Sequence, residues 1–491
     1  MIPLVAPIAI YLFAAFTMPF ANILGRKPRN IYAILLALAA LGSVALLYSE
    51  AMAGTATYWF GNWEPAGGIV YGITLAMDAF SWLMLSAISV LGLAVVVYSH
   101  KYTEKDESQY KYFALLFLLC AGMSGVVMTG DLFNLFVFLE ISALSAVGLV
   151  AFRGEKNALA ASFNYLVLAS IATAFILIAV MLLYAETGTL NLADVASRMQ
   201  DNFVVQFALA LFIAGFAIEA ALLPVHNWLP DAHSGAPSAV SALLSGAVVK
   251  MGVYGLLRVL FTLYIIAGAN GLLLVLGLAS MIGASFLMLR QSDIKRLLAY
   301  STVSNVGFII FGVGLGTFAG MSGALFHLVN HALFKGLLFL AAGAVIMQVK
   351  TRDMNSMGGL AKKMPWTMLA FAVGALAASG VPPFNGFASK WVLYNASFEI
   401  SPLLTALALF ASALTLAAMM KAFSGAFLGK MPHELSHVKE VPRSMLASML
   451  LLALLCIVMG LFPDFVLEKV VNPAVNALLS PEIYAKAVLN P

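Results

Sequence analysis

Charge is scarce in this sequence. Asp, Glu, Lys and Arg make up 10% of 491 residues against 62% hydrophobic ones, where soluble domains carry about 25% charged side chains. A water-soluble fold is excluded, and the chain reads as an all-α integral membrane protein. Cysteine is nearly absent. Cys120 and Cys456 both sit inside apolar runs, which leaves no thiol set for an iron–sulfur cluster or disulfide framework and marks both as small buried hydrophobes. No Gly-rich dinucleotide fingerprint occurs. No cofactor, metal or redox chemistry is therefore expected within the chain, and any electron transfer belongs to another subunit. The run from Ile2 has no basic residue before it and no small-residue cleavage site, so it is expected to be the first span, not a removable signal.

Apolar runs fill almost everything else. At about 20 residues per span, fourteen transmembrane helices are expected, centred near residues 12, 42, 88, 120, 142, 171, 213, 248, 280, 307, 333, 375, 413 and 455. Residues 54–75, with aromatics around Gly and Pro, suggest an extramembrane hairpin. Cytoplasmic loops should hold the Lys and Arg. With "GRKPRN" cytoplasmic, alternate loops carry eighteen of the 26 basic residues, from Arg26 to Arg443, while the opposite face with both termini carries Arg198, Lys469 and Lys486. Both termini are thus expected outside the cytoplasm, in the cell inner membrane. The net charge of +4 mostly reflects this topology and implies no nucleic-acid partner. Five basic residues fall inside helices: Lys250, Arg258, Lys335, Lys390 and Lys421.

Glu140 and Glu219 add acids at similar depth. A charge at the bilayer centre costs roughly 2.5–3.5 kcal/mol on insertion scales, and such groups typically serve ion or proton pathways. Near helix ends, Arg258 and Lys421 fit a static ion pair or a snorkelling side chain instead. Two apolar runs are broken by proline: "IEAALLPVHNWLP", with Glu219 before Pro224, and "ALAASGVPPFNGFASKW", with Pro382 and Pro383 before Lys390. Discontinuous helices free backbone groups to line a polar cavity. The breaks lie five helices apart, which suggests two repeats, helices 4–8 and 9–13, of opposite topology because each holds an odd number of helices. Helices 7 and 12 are the broken ones. The chain then divides into 1–105, 106–262, 263–430 and 431–491. His226 and His233 flank the first break; His327, His331 and Lys335 recur every fourth residue and share one helix face. Imidazoles titrate near neutral pH and suit proton transfer, and no Cys or carboxylate on that helix completes a metal shell.

"LLPVHNWLPDAHSGAPSAVSALLSGAVVKMGVYGLLR", "DIKRLLAYSTVSNVGFI" and "FHLVNHALFKGLLFLAAGAV" closely resemble the antiporter-like membrane subunits of respiratory complex I, Mrp-type cation/proton antiporters and membrane-bound hydrogenase-like complexes. The resemblance spans nearly the whole chain. It implies a fourteen-helix core of two inverted five-helix repeats, each a proton half-channel, joined by hydrated Lys and His at the midplane. On these positions Glu140 would be the acid of helix 5, Lys250 the central lysine of helix 8, His327, His331 and Lys335 the relay of helix 11, and Lys390 the exit residue of helix 12. One position departs: Glu219 stands where the family usually has a lysine paired to the helix 5 acid. It could be protonated, pair with Lys250, or form a cation site with Glu140; alternatively the first half-channel has lost its role. The resemblance further implies H+ and, as a second candidate ion, Na+, and partners that are lipid and other membrane subunits, adjacent antiporter-like ones included. Because the chain ends soon after helix 14, it resembles members without a long lateral arm. Competing expectations are a stand-alone secondary antiporter and a structural scaffold.

Overall fold

Backbone N–H and C=O groups find no water in hydrocarbon, so each crossing must bond internally as a helix. The computed structural model describes residues 3–65, 70–264 and 269–490. In chain order its main helices are α1 (Ala6–Leu24), α2 (Arg26–Ala53), α3 (Ala79–Tyr102), α4 (Gln109–Met128), α5 (Leu132–Val150), α6 (Lys156–Thr187), α7a (Phe203–Glu219), α7b (Trp228–Gly235), α8 (Ser238–Tyr264), α9 (Asn270–Leu289), α10 (Ile294–Gly314), α11 (Phe318–Val349), α12a (Pro365–Ser379), α12b (Asn385–Ile400), α13 (Pro402–Phe427) and α14 (Arg443–Leu461). Among the described residues, twelve of these are long and apolar enough to cross a membrane, and α7a and α12a are shorter apolar helices. Every helix centre expected from hydropathy falls inside one of these elements.

Between α2 and α3, β1 (Ala56–Trp59) pairs antiparallel with β2 (Thr74–Met77), Ala56 opposite Met77. Residues 66–69, inside the expected hairpin, lie outside the described residues. After α14 the chain folds back. Helix α15 (Asn472–Leu479) rests on α3, and α16 (Pro481–Leu489) covers β1 and the short helix Leu192–Arg198.

Small residues decide which helices are central. Helix α8 is buried along its whole span, and α10 nearly so, whereas α1, α2, α6 and α13 turn Phe16, Leu35, Phe163 and Leu403 outward. In lipid, helices associate by close backbone approach. A Cβ on Gly307 of α10 would lie 2.4 Å from the Met281 nitrogen of α9, and one on Gly252 of α8 would lie 2.4 Å from the Ala220 nitrogen at the end of α7a.

One ion pair staples this core. Arg258 of α8 binds Asp78 through both its Nη atoms at 2.7 and 2.8 Å, and the rings of Phe80, Tyr254 and Tyr484 surround the guanidinium within 5.4 Å. Asp78 also caps α3 by accepting from the Ser81 nitrogen. Burial pushes the Asp78 carboxyl up, but the Arg258 guanidinium outweighs it and holds the group below the usual carboxylate range. A depressed carboxylate stabilises the fold above its ordinary pKa, and that contribution is lost as pH falls through the depressed value. The static pair expected for Arg258 is thus present. Lys421 is exposed and caps the end of α9, donating to the carbonyls of Leu289 and Gln291 at 3.0 and 2.9 Å.

Two residues assigned to loops by the charge count are buried. Arg29 bonds Asn22, Asn30 and Gln109, and Lys295 donates to the Ala236 carbonyl at 2.5 Å. Both sit at span ends, where hydropathy alone does not separate a loop from a helix terminus.

Geometry recurs along the chain at a constant interval. Asp131 caps α5 and bridges Asn191; Asp293 caps α10 and bridges Asp353, each 162 residues further on. Helices α6 and α11 each run 32 residues and end in a left-handed residue, Gly188 and Lys350. At 1.5 Å per residue each is about 48 Å long, more than the roughly 30 Å hydrocarbon core, so both tilt or project.

Adding a methyl at a backbone crossing should cost about 1–3 kcal/mol by overpacking. Thermal unfolding in detergent should therefore show Gly307→Ala less stable than the parent, while Gly271→Ala, with nothing within 4 Å of its added Cβ, melts unchanged.

Candidate functional site

The two helix breaks share one local design. Helix α7a ends with Ala221 left-handed at φ 52°, the Ala221 nitrogen bonded to the Ile218 carbonyl and the Leu222 nitrogen to that of Ala217. Helix α12a ends with Gly380 at φ 79°, its nitrogen bonded to the Ala377 carbonyl and the Val381 nitrogen to that of Leu376. These are helix stops that recapture some terminal carbonyls and leave others free. Both are followed by a cis X–Pro bond, Leu223–Pro224 and Pro382–Pro383. The charges, however, occupy different registers: Glu219 lies five residues before Pro224, on the first half, and Lys390 seven after Pro383, on the second. Lys390 reaches back across its break. Its Nζ donates to the Ala378 carbonyl of α12a at 3.0 Å and lies 4.6 Å over the Phe308 ring.

From Lys390 a line of buried polar groups runs through the centre. His327 Nδ1 is 2.9 Å from Ser389 Oγ, next to Lys390 on α12b, and its Nε2 is 3.1 Å from Asn305 Oδ1 on α10. The His327 and His331 rings stack with centroids 6.3 Å apart. Both His331 nitrogens are buried without a hydrogen-bond partner among the described residues. Lys335, one turn on, donates to the Leu298 carbonyl at 2.9 Å and to Ser301 Oγ. Lys250 donates at 2.5 Å to the Ser245 carbonyl, inside a π-helical turn, Leu244–Val248; such turns often mark functional positions. Ser245 Oγ in turn meets Thr302 Oγ1 at 2.6 Å.

None of these amines has an acid. Lys250, Lys335 and Lys390 are fully buried, and the ion pairs among the described residues include none of them. Lys335 lies within electrostatic range of both Lys250 and Lys390, and His331 within range of all three. Like charges this close in a medium of low permittivity repel strongly.

His233 joins this line from the other side. It is fully buried on α7b, stacked at 4.4 Å on Phe339, with neither ring nitrogen hydrogen-bonded among the described residues. Its electrostatic neighbours are Lys295, Lys335 and Lys250. Lys295 lines a cleft of about 660 Å³ on the basic face, beside Lys101, Arg153 and Arg352. His226 is not part of this arrangement: it lies in the α7 break, its Nδ1 3.3 Å from the Pro224 carbonyl and its ring beside Tyr300.

The acids form a separate group. Glu219 is buried at the end of α7a, and Glu140 on α5 is half-buried at the protein wall; each lies within electrostatic range of the other. The possible pairing of Glu219 with Lys250 does not occur. Gly252 faces Glu219, and Lys250, two residues earlier, is turned about 200° away around α8. Among the described residues no group of three or more His, Cys, Asp or Glu could hold a metal ion.

Sequence reasoning passed over Lys295, Ser301, Asn305 and Ser389. A signal existed for two of them, since Ser301 and Asn305 are four apart on α10 and share a face.

If the buried amines carried only structural duty, removing them would hurt stability. An unpaired buried charge costs free energy, so Lys250→Met and Lys335→Met are expected to leave thermal stability unchanged or higher, whereas Arg258→Ala, which strands Asp78, should cost about 3–5 kcal/mol. Melting curves of the three variants check this.

Comparison with known proteins agrees with this architecture. Residues 129–415 match the model of the family described as "NADH:quinone oxidoreductase/Mrp antiporter, TM", and residues 63–113 that of "NADH-Ubiquinone oxidoreductase (complex I), chain 5 N-terminus". NADH-quinone oxidoreductase subunit N of Desulforudis audaxviator is 36% identical over 495 residues, covering 96% of this chain and 97% of that protein. A subunit of the Na(+)/H(+) antiporter of Alkalihalophilus pseudofirmus is 32% identical, covering 91% of each. Among solved structures, a chain of an archaeal respiratory complex, the membrane-bound sulfane sulfur reductase, superposes with a TM-score of 0.90 at 32% identity, covering 98% of this chain and 99% of that one.

Proposed function

The chain belongs to the NADH:quinone oxidoreductase/Mrp antiporter family of ion-translocating, multi-pass membrane subunits, which work beside other membrane subunits, and on that premise we propose that it moves protons along its buried lysines and histidines. Protons from the basic face enter through the cleft at Lys295 and pass to His233. From there they reach Lys250 and Lys335, continue through His331 and His327, and leave by Lys390. Glu140 and Glu219 form a second, acidic ion site at the end of α7a, apart from this line. His226 stands at the margin, in the break that keeps this interior polar.

The observation that carries this is the absence of any carboxylate beside the three central lysines among the described residues. An ammonium held by a carboxylate keeps its proton, whereas one held by carbonyls and hydroxyls exchanges it with a neighbouring imidazole. The scaffold alternative needs paired charges, which Arg258 has and these lysines lack.

The recurrence at 162 residues supports two inverted repeats, helices 4–8 and 9–13, in a fourteen-helix count with α7a/α7b and α12a/α12b each taken as one broken span. Within the cell inner membrane the basic face is cytoplasmic by its excess of Lys and Arg, and both termini lie on the other side. Half-buried Glu140 on the wall calls for cover by an adjacent subunit, since lipid offers a carboxylate no partner.

Proton flux into vesicles holding the assembled complex tests the pathway. Lys250→Ala and Lys390→Ala should each lower flux by about a hundredfold, the scale of a positioned proton-transfer group, while the complex still assembles. Flux at the parental rate in both variants removes the lysines from the mechanism.

A further inference from the structure

We propose that Thr302 on α10, through Ser245 on α8, is a positioning residue that couples Lys250 to Lys335, so that the two amines charge in alternation. This rests on the lysine pathway and adds a regulating contact to it.

With one step through the Ser245 residue itself, hydrogen bonds link the two amines. Lys250 Nζ donates to the Ser245 carbonyl at 2.5 Å. The hydroxyl of that same residue meets Thr302 Oγ1 at 2.6 Å, and Thr302 Oγ1 donates to the Leu298 carbonyl at 3.1 Å. Lys335 Nζ uses that carbonyl too, at 2.9 Å. Ser245, Thr302, Lys250 and Lys335 are all fully buried, so bulk water does not compete for these groups. The π turn Leu244–Val248 that presents Ser245 packs directly on α11, the helix of Lys335: a Cβ added to Gly246 would lie 3.1 Å from the Ala332 carbonyl oxygen.

A threonine inside a helix commonly directs its hydroxyl to its own ladder, as Thr415 of α13 does to the Ala411 carbonyl at 2.9 Å. Thr302 has such an acceptor and a second one on another helix. Its single hydroxyl hydrogen serves one at a time. When it points to Leu298, Ser245 donates to Thr302; when it turns to Ser245, the Ser245 hydrogen must point elsewhere. The pair therefore has two settings, exchanged by rotation about the C–O bonds with no covalent bond made or broken.

The charge on Lys335 selects between them. An ammonium there takes the Leu298 carbonyl by a charge-assisted bond and repels the Thr302 hydrogen toward Ser245. The positive ends of both O–H dipoles then point toward α8 and oppose a second ammonium at Lys250. With Lys335 neutral the dipoles reverse, and their oxygen ends face α8 and favour charge at Lys250. Both lysines thus bias one two-state element, which is what coupling between sites requires.

Proton flux into vesicles holding the assembled complex, read beside thermal stability, tests this. Thr302→Val keeps the side-chain shape and removes the hydroxyl; flux should fall about tenfold, within the range by which residues between two sites modulate their coupling. Since that change strands the Ser245 hydroxyl, Thr302→Val combined with Ser245→Ala removes both partners together and should lose the same flux at the parental Tm. Thr302→Ser, which keeps the hydroxyl, should restore flux, and Thr415→Val should run at the parental rate. In a Lys250→Ala background Thr302→Val should lower flux no further, because the bridge has nothing left to act on. Parental flux in the folded double variant, no rescue by serine, or a further tenfold loss in the Lys250→Ala background overturns the proposal. The two readings fail separately: Lys250→Ala at the parental rate removes the lysine pathway itself, whereas a slow Lys250→Ala beside a normal Thr302→Val removes the bridge alone.

Discussion

Three buried lysine amines rest on carbonyl oxygens instead of carboxylates, and the interior is organised around supplying those oxygens. Lys250 uses the Ser245 carbonyl in a π turn, Lys390 the Ala378 carbonyl near the end of a broken helix, and Lys335 the Leu298 carbonyl together with a serine. A regular helix keeps its carbonyls for its own ladder, so for Lys250 and Lys390 a helix irregularity supplies the acceptor, while Lys335 shares the Leu298 carbonyl of the regular helix α10. Each irregularity then needs close neighbours to hold it. Gly252 and Gly307 let backbones approach where side chains would force them apart, and the Asp78–Arg258 pair secures α8, the helix that carries Lys250.

Much of this was legible in the sequence, because the bilayer imposes a length and a composition on each crossing. Hydropathy located the helices, proline located both breaks, and the rarity of charge singled out Lys250, Lys335, Lys390, Glu140 and Glu219. What stayed hidden depends on side-chain direction. Glu219 and Lys250 are close in the chain's path, yet the helical turn between Gly252 and Lys250 points the amine away. The two breaks look equivalent by their prolines, but one charge precedes its proline and the other follows, so Lys390 must reach back. Neutral partners such as Ser301, Asn305 and Ser389 are common in helices and acquire meaning only from what they face.

The polar interior therefore has two chemically distinct parts. One is basic and holds His233, Lys250, Lys335, His331, His327 and Lys390, where no lysine is ion-paired among the described residues. The other is acidic, without amines, and lies at the end of α7a beside the protein wall. A family that elsewhere uses an acid and a lysine at this point has, in this chain, two acids.

The central claim is that the basic line is wet. A cryo-EM map of the assembled complex at a resolution that shows ordered water tests it directly. Water should bridge the cleft at Lys295 to His233 and continue past Lys250, His331 and His327 to Lys390. A map in which those nitrogens are dry, with apolar side chains filling the space between them, contradicts it.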